Sequence, residues 1–253
     1  MESERALYCM LKHKHMKTLK TLAGVLAFTI ISASSFAQNV TDIINKHIDA
    51  IGGKENWKKV NTLHMEATLS AQGMDIPIVV NQIHNKAAKQ EYTVMGSTGY
   101  SIVTSEGAWA FNPMAGQSKA EPLPEEQAAA AKGQLDIRGE LLDYTEKATT
   151  AELQGSEDID GTSCYKIKLT HKDGKAITIF IDSKTFYKVR QSSTANVNGQ
   201  DVEVVVSYSN FQKIANAGIV MPFSIENTGM PAPLTFTKIE VNMPIDEAIF
   251  KVQ

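Results

Sequence analysis

The stretch Thr162 to Ser193, TSCYKIKLTHKDGKAITIFIDSKTFYKVRQSS, leaves this chain few folds to choose from. Tyr165, Ile167 and Leu169 alternate with Cys164, Lys166 and Lys168, the period-two pattern of a strand with one apolar and one wet face. Asp173-Gly174 supplies a residue pair that tolerates positive φ at a turn. Ile177, Ile179 and Ile181 then alternate with Thr178, Phe180 and Asp182, and Asp182-Ser183-Lys184 turns the chain into Tyr187, Val189 and Gln191. Three consecutive antiparallel strands are predicted. A sheet so one-sided needs an apolar cover, and the nature of that cover bears on function.

The chain opens on a leader. Lys17 and Lys20 precede an apolar run from Leu22 to Ile31, and Ser35-Phe36-Ala37 has the small-x-small form of a cleavage site before Gln38. A secretory signal peptide over 1–37 is expected, with Met16 as the true start. No cysteine follows the apolar run, so the mature chain is expected to be soluble rather than lipid-anchored. Removing the leader's five basic and two acidic residues from totals of 25 and 28 leaves 20 against 26. An acidic surface of that kind argues against a nucleic-acid partner, which would need clustered Lys and Arg. Cys164 is then the sole cysteine, so no internal disulfide forms. The remaining 38–253 are read as a single domain.

Val40, Ile43, Ile44, His47, Ile48 and Ile51 fall at helical spacing, ended by Gly52-Gly53. His47 on that apolar side reads as a buried histidine rather than a ligand. From Val60 onward the period becomes two, with Pro77 favouring an edge or a bulge in the second strand. After the loop from Asn112-Pro113 to Pro124 the composition turns helical, through Glu125 to Ala131 and, after Gly133, from Leu135 to Tyr144. These two segments are read as lid helices. Strands resume near Thr150, and the last is expected over Ile239, Val241 and Met243. The predicted fold is α+β and mainly antiparallel β. It is a strongly curved, incomplete barrel of about ten or eleven strands, with an N-terminal helix and lid helices over the concave face.

No catalytic constellation emerges. Asp158-Ile159-Asp160-Gly161 lacks the flanking acidic positions of a calcium loop and reads as a turn. Gly96-Ser97-Thr98-Gly99 is too short for a nucleophile elbow and reads as a turn between strands. His64, His84 and His171 lie on separate strands without metal-ligand spacing. Cys164 reads as an exposed free thiol with nothing nearby to activate it. No enzyme activity, metal or cofactor is expected.

The remaining candidate is the apolar face itself: Trp109, Phe111, Ile179, Ile181, Val204, Val206, Met221, Phe223 and Ile225, with Leu135 and Leu141 from the lid. Two interpretations stay open. Lid and sheet make a closed core, as in any half-buried sheet, or an alanine-rich lid that buries little area yields to a better hydrophobe such as an acyl chain.

Ser105-Glu106-Gly107-Ala108-Trp109-Ala110-Phe111-Asn112-Pro113, the Gly161 to Arg190 triplet with Ile181-Asp182-Ser183-Lys184-Thr185, Gly218-Ile219-Val220-Met221-Pro222 and the tail NMPIDEAIF resemble the outer-membrane lipoprotein-sorting proteins, the periplasmic LolA-like carriers. The resemblance covers nearly all of the mature chain. It implies an incomplete barrel whose concave apolar face receives lipoprotein acyl chains or another lipid. It also implies transport from an inner-membrane transporter to an outer-membrane acceptor, by a monomer in the periplasm. Arg138 and Arg190 are the candidates for polar residues at the cavity mouth.

Overall fold

Among the described residues, period-two alternation becomes thirteen antiparallel strands hydrogen-bonded into one sheet. The structure is a computed structural model describing residues 40–197 and 200–252. The expected leader and its cleavage site lie outside the described residues. The strands are β1 (Thr62–Ala71), β2 (Met74–Ile83), β3 (Ala87–Val94), β4 (Ser97–Thr104), β5 (Ala108–Phe111), β6 (Glu121–Pro122) and β7 (Thr150–Ile159). They continue with β8 (Thr162–Thr170), β9 (Ala176–Asp182), β10 (Lys188–Val197), β11 (Gln200–Lys213), β12 (Val220–Asn227) and β13 (Leu234–Val241). The predicted triplet is β8 to β10, and Gly174 takes φ 84° at its first turn.

The order across the sheet is β6-β5-β4-β3-β2-β1-β13-β12-β11-β10-β9-β8-β7. First and last strands therefore pair in the middle, and the two free edges, β6 and β7, are consecutive in the chain. Residues 123–149 must bridge those edges.

Helix α1 (40–50) fills the concavity. Its Val40, Ile43, Ile44 and Ile48 share one buried cluster with Leu63, Phe236 and Ile239 of β1 and β13 and with Ile167, Leu169, Ile179 and Ile181 of β8 and β9. In a flat sheet β13 and β9 would lie roughly 19 Å apart, at about 4.8 Å per strand. One helix touches both only because the sheet curls around it. Gly53 N–H closes α1 by donating to the Ile48 carbonyl at 2.8 Å. Gly52, at φ 113°, has no room for a Cβ against the backbone of Gly218. A short helix α2 (Lys54–Lys58), unforeseen from sequence, follows and buries Trp57.

The bridge between the edges departs from expectation. Helix α3 (Glu125–Gly133) forms where the alanines predict it but buries no side chain completely. The second lid helix, expected over Leu135 to Tyr144, is instead a run of turns. Gly139 and Asp143 adopt φ of 75° and 55°, which an α-helix cannot accommodate. Leu141 and Leu142 from these turns are nevertheless buried in the main core.

Four further expectations are corrected. Met243 lies beyond β13 and is exposed, and the tail ends in a 3-10 turn (Glu247–Phe250) that buries Phe250 rather than in a strand. Cys164 is fully buried, not exposed. It packs with Ile159, Phe180 and Val189 on the outer face, because a bulge between Lys188 and Arg190 turns Val189 outward while Gln191 faces inward. Gly99 is a strand residue rather than a turn residue, and the Tyr92 ring lies directly over it. Pro77 sits in an interior strand, yet β3 pairs with β2 only from Ile78 onward, so no ladder on that side needs its missing N–H.

Candidate functional site

Cross-strand partners share a face, so the register sorts the candidate residues without ambiguity. Ile179 and Ile181 face inward but are wholly buried beneath α1. Trp109 and Phe111 face outward. Trp109 pairs with Ile102, and both join a separate cluster with Tyr100, Ile83, Ala87 and the tail residues Ile245, Ile249 and Phe250, while Phe111 pairs with Tyr100 and lies with its ring 5.4 Å from that of Tyr100. The alternation along β5 is legible in the sequence, but which of its faces is concave depends on its partners. The inner face of β5 carries only Ala108 and Ala110.

Val204, Val206, Met221, Phe223 and Ile225 all lie on the inner face and are half-buried. The register links Tyr208 to Ile225, Ile225 to Leu234, Leu234 to Leu69 and Leu69 to Ile76. Those five side chains, one from each of β11, β12, β13, β1 and β2, form a continuous half-buried apolar belt across the concavity. Leu69, Leu234 and Ile76 are site residues that the sequence reading misses. Each strand alone marks them as apolar, and only the pairing of β1 with β13 aligns them with Ile225.

Two pockets of about 220 and 260 Å³ open elsewhere. One lies between β11 and the loop at Thr228 to Pro233, the other between β4 and the tail at Ala248 to Lys251.

The bridging segment is held at identifiable points. Leu123 N–H donates to the Ala108 carbonyl, and Gln82 Nε2 to the Gln134 carbonyl, both at 2.8 Å. Gln82 pairs with Leu63 and so faces inward, which puts the end of α3 on the concave side. Leu135 is buried where its carbonyl accepts from Asn85 N–H at the β2–β3 turn. Arg138 Nη2 donates to the Lys58 carbonyl at 2.8 Å, fastening the turns to α2. Asp143 pairs with Lys54 and Lys58, and the hydrogen bond from Lys54 holds its carboxyl below the usual range. Arg190 instead pairs with Asp160 at 2.7 Å and lies on the outer face with Phe180.

A charged pair sits at the concavity. Lys188 pairs with Ile181 and faces inward, with its Nζ 4.6 Å from the centroid of the Tyr208 ring that ends the apolar belt. It donates to Gln191 Oε1 at 3.1 Å and lies 3.5 Å from Glu140 Oε2 on the bridging segment. Burial alone would lower the lysine and raise the carboxyl. Their mutual attraction prevails, and both shift in the direction that keeps them charged.

The histidines do not assemble. His47 is buried and its Nδ1 lies 2.7 Å from the Phe186 carbonyl. His64 meets Asn81 at 2.8 Å, and His171 meets Thr149 at 3.3 Å. Among the described residues no cluster of His, Cys, Asp and Glu has metal-binding geometry, and no helix is long and apolar enough to cross a membrane.

No family model and no curated protein matches the sequence. Solved structures do resemble it. A LolA superfamily protein from Nitrosomonas europaea aligns with a TM-score of 0.53 at 16% identity, over 85% of this chain and 97% of its own. A DUF1329 family protein from Desulfovibrio piger aligns with a TM-score of 0.53 at 16% identity, over 84% and 97%. Sheet topology, curvature and these alignments agree: the chain has the fold of the LolA superfamily.

Proposed function

We propose that this protein is a periplasmic carrier that binds lipoprotein acyl chains or another lipid on its concave face and delivers them toward the outer membrane, without a chemical step. The carrying observation is the belt Tyr208, Ile225, Leu234, Leu69 and Ile76, apolar side chains on an inner face that α1 leaves half-covered. Helix α3, with no fully buried side chain, is a cover that a bound chain can shift at small cost. Each buried CH₂ contributes about 0.8 kcal/mol, so a long acyl chain outweighs such a contact. The fold shared with a LolA superfamily protein supports this reading. So does the expected leader over 1–37, cut at Ala37/Gln38 to leave 38–253 as one domain. An inner-membrane transporter and an outer-membrane acceptor are the partners this role requires.

Native mass spectrometry of protein purified from its own host tests the proposal. Lipid should co-purify with the wild type and be lost in Ile225→Asp, while Ile179→Asp should fail to fold. A folded Ile225→Asp that retains its lipid would refute the role of the belt.

A second reading is an envelope interaction protein with a permanently closed core on the same fold. It is favoured by the complete burial of Ile167, Leu169, Ile179 and Ile181 beneath α1. A clean apo mass under gentle conditions supports it.

A further inference from the structure

We propose that Lys188 is the head-group anchor of the concave site and that its ligand is a single-chain amphiphile with a carboxylate head. This rests on the carrier reading and narrows it, favouring a free fatty acid over the esterified chains of a lipoprotein. An ammonium on a largely apolar inner face costs free energy unless it is paired. The pair is reached by water: the side chains of Lys188 and Glu140 remain 22% and 33% exposed at 3.5 Å. Gln191 bridges the two, its Oε1 accepting from Lys188 at 3.1 Å and its Nε2 donating to Glu140 Oε1 at 3.4 Å, and the Tyr208 ring faces the ammonium.

Glu140 follows Gly139, in turns that interrupt any helix, and it reaches Lys188 from the bridging segment rather than from the sheet. A ligand carboxylate that takes the place of the Glu140 carboxylate exchanges one anion for another. Binding then costs no newly unpaired ammonium, and the released Glu140 turns to water. From Lys188 on β10 the belt leads away over Tyr208, Ile225, Leu234 and Leu69 to Ile76 on β2, five strand spacings, which would be about 24 Å on a flat sheet and is shorter along this curled one. That is a length suited to an extended fatty chain. Charge at one end and a continuous apolar track beyond it are the two parts of an amphiphile site.

The test compares hexadecanoate with hexadecan-1-ol, by displacement of a fluorescent fatty probe below their aggregation concentrations. The wild type should bind the acid at least about tenfold more tightly than the alcohol. Glu140→Gln removes the competing carboxylate and should raise that preference. Glu140→Gln with Lys188→Met leaves no charge without a partner, and it should abolish the preference, bringing acid and alcohol to equal affinity. Equal wild-type affinity for acid and alcohol overturns the anchor and leaves the carrier reading standing. Failure of the wild type to bind either probe overturns both. Loss of acid preference in Glu140→Gln would mean that the pair merely fastens the segment, which also overturns the anchor. That variant decides the matter if the double variant does not fold.

Discussion

His47 shows what a single side chain contributes at this fold's centre. Burial lowers its pKa to about 4, despite the hydrogen bond with the Phe186 carbonyl. The unfolded chain, near 6.5, therefore binds the proton more readily than the folded one. Its contribution is complete above about pH 6.5 and is lost as pH falls toward 4. The loss amounts to roughly 3 kcal/mol, since each tenfold difference in proton affinity between the two states is worth about 1.4 kcal/mol. Urea unfolding across that window should show the loss, and His47→Gln should flatten it. Cys164 gives a second prediction. Burial pushes its thiol up to about 11, so a thiol-specific reagent at about pH 8 should leave the native protein untouched and react once it is unfolded. The histidine's setting is legible in the sequence because α1 shows its apolar side in one short segment. The cysteine's is not, because alternation along β8 says which face Cys164 is on but not that Ile159, Phe180 and Val189 cover it.

At the scale of elements, the two halves of the bridging segment differ in how firmly they are held. Ala129 of α3 is exposed, and Ala129→Gly should cost the helix about 1 kcal/mol locally. The global unfolding midpoint should stay where it is, while amide exchange in α3 accelerates. Leu141 has no regular structure around it but belongs to the main core. Leu141→Ala should lower global stability by about 2–5 kcal/mol in denaturant titration. The alanine tract declares its helix because propensity acts locally. From Leu135 to Tyr144 the leucine spacing suits a helix, and anchoring to α2 through Arg138 and Asp143 overrides it.

Across the whole molecule the sheet is unevenly sewn. The register of β8 with β9 runs from Cys164 to Thr170, whereas β12 and β13 share only the pairs Ser224 with Thr235 and Ile225 with Leu234. Hydrogen exchange should therefore be faster across the β12–β13 seam than across β8–β9, and bound lipid lying on Ile225 and Leu234 should slow it. Residue order alone specifies α1, the hairpins between neighbouring strands and the two-faced character of each strand, since side-chain alternation, capping and turn chemistry act within a few residues. Assembly in three dimensions is what closes β1 on β13, seats α1 in the concavity, turns Trp109 and Phe111 outward and stands Lys188 at the end of an apolar belt. Those outcomes depend on register between segments far apart in the chain, and no local pattern encodes which face of a curved sheet is the inside.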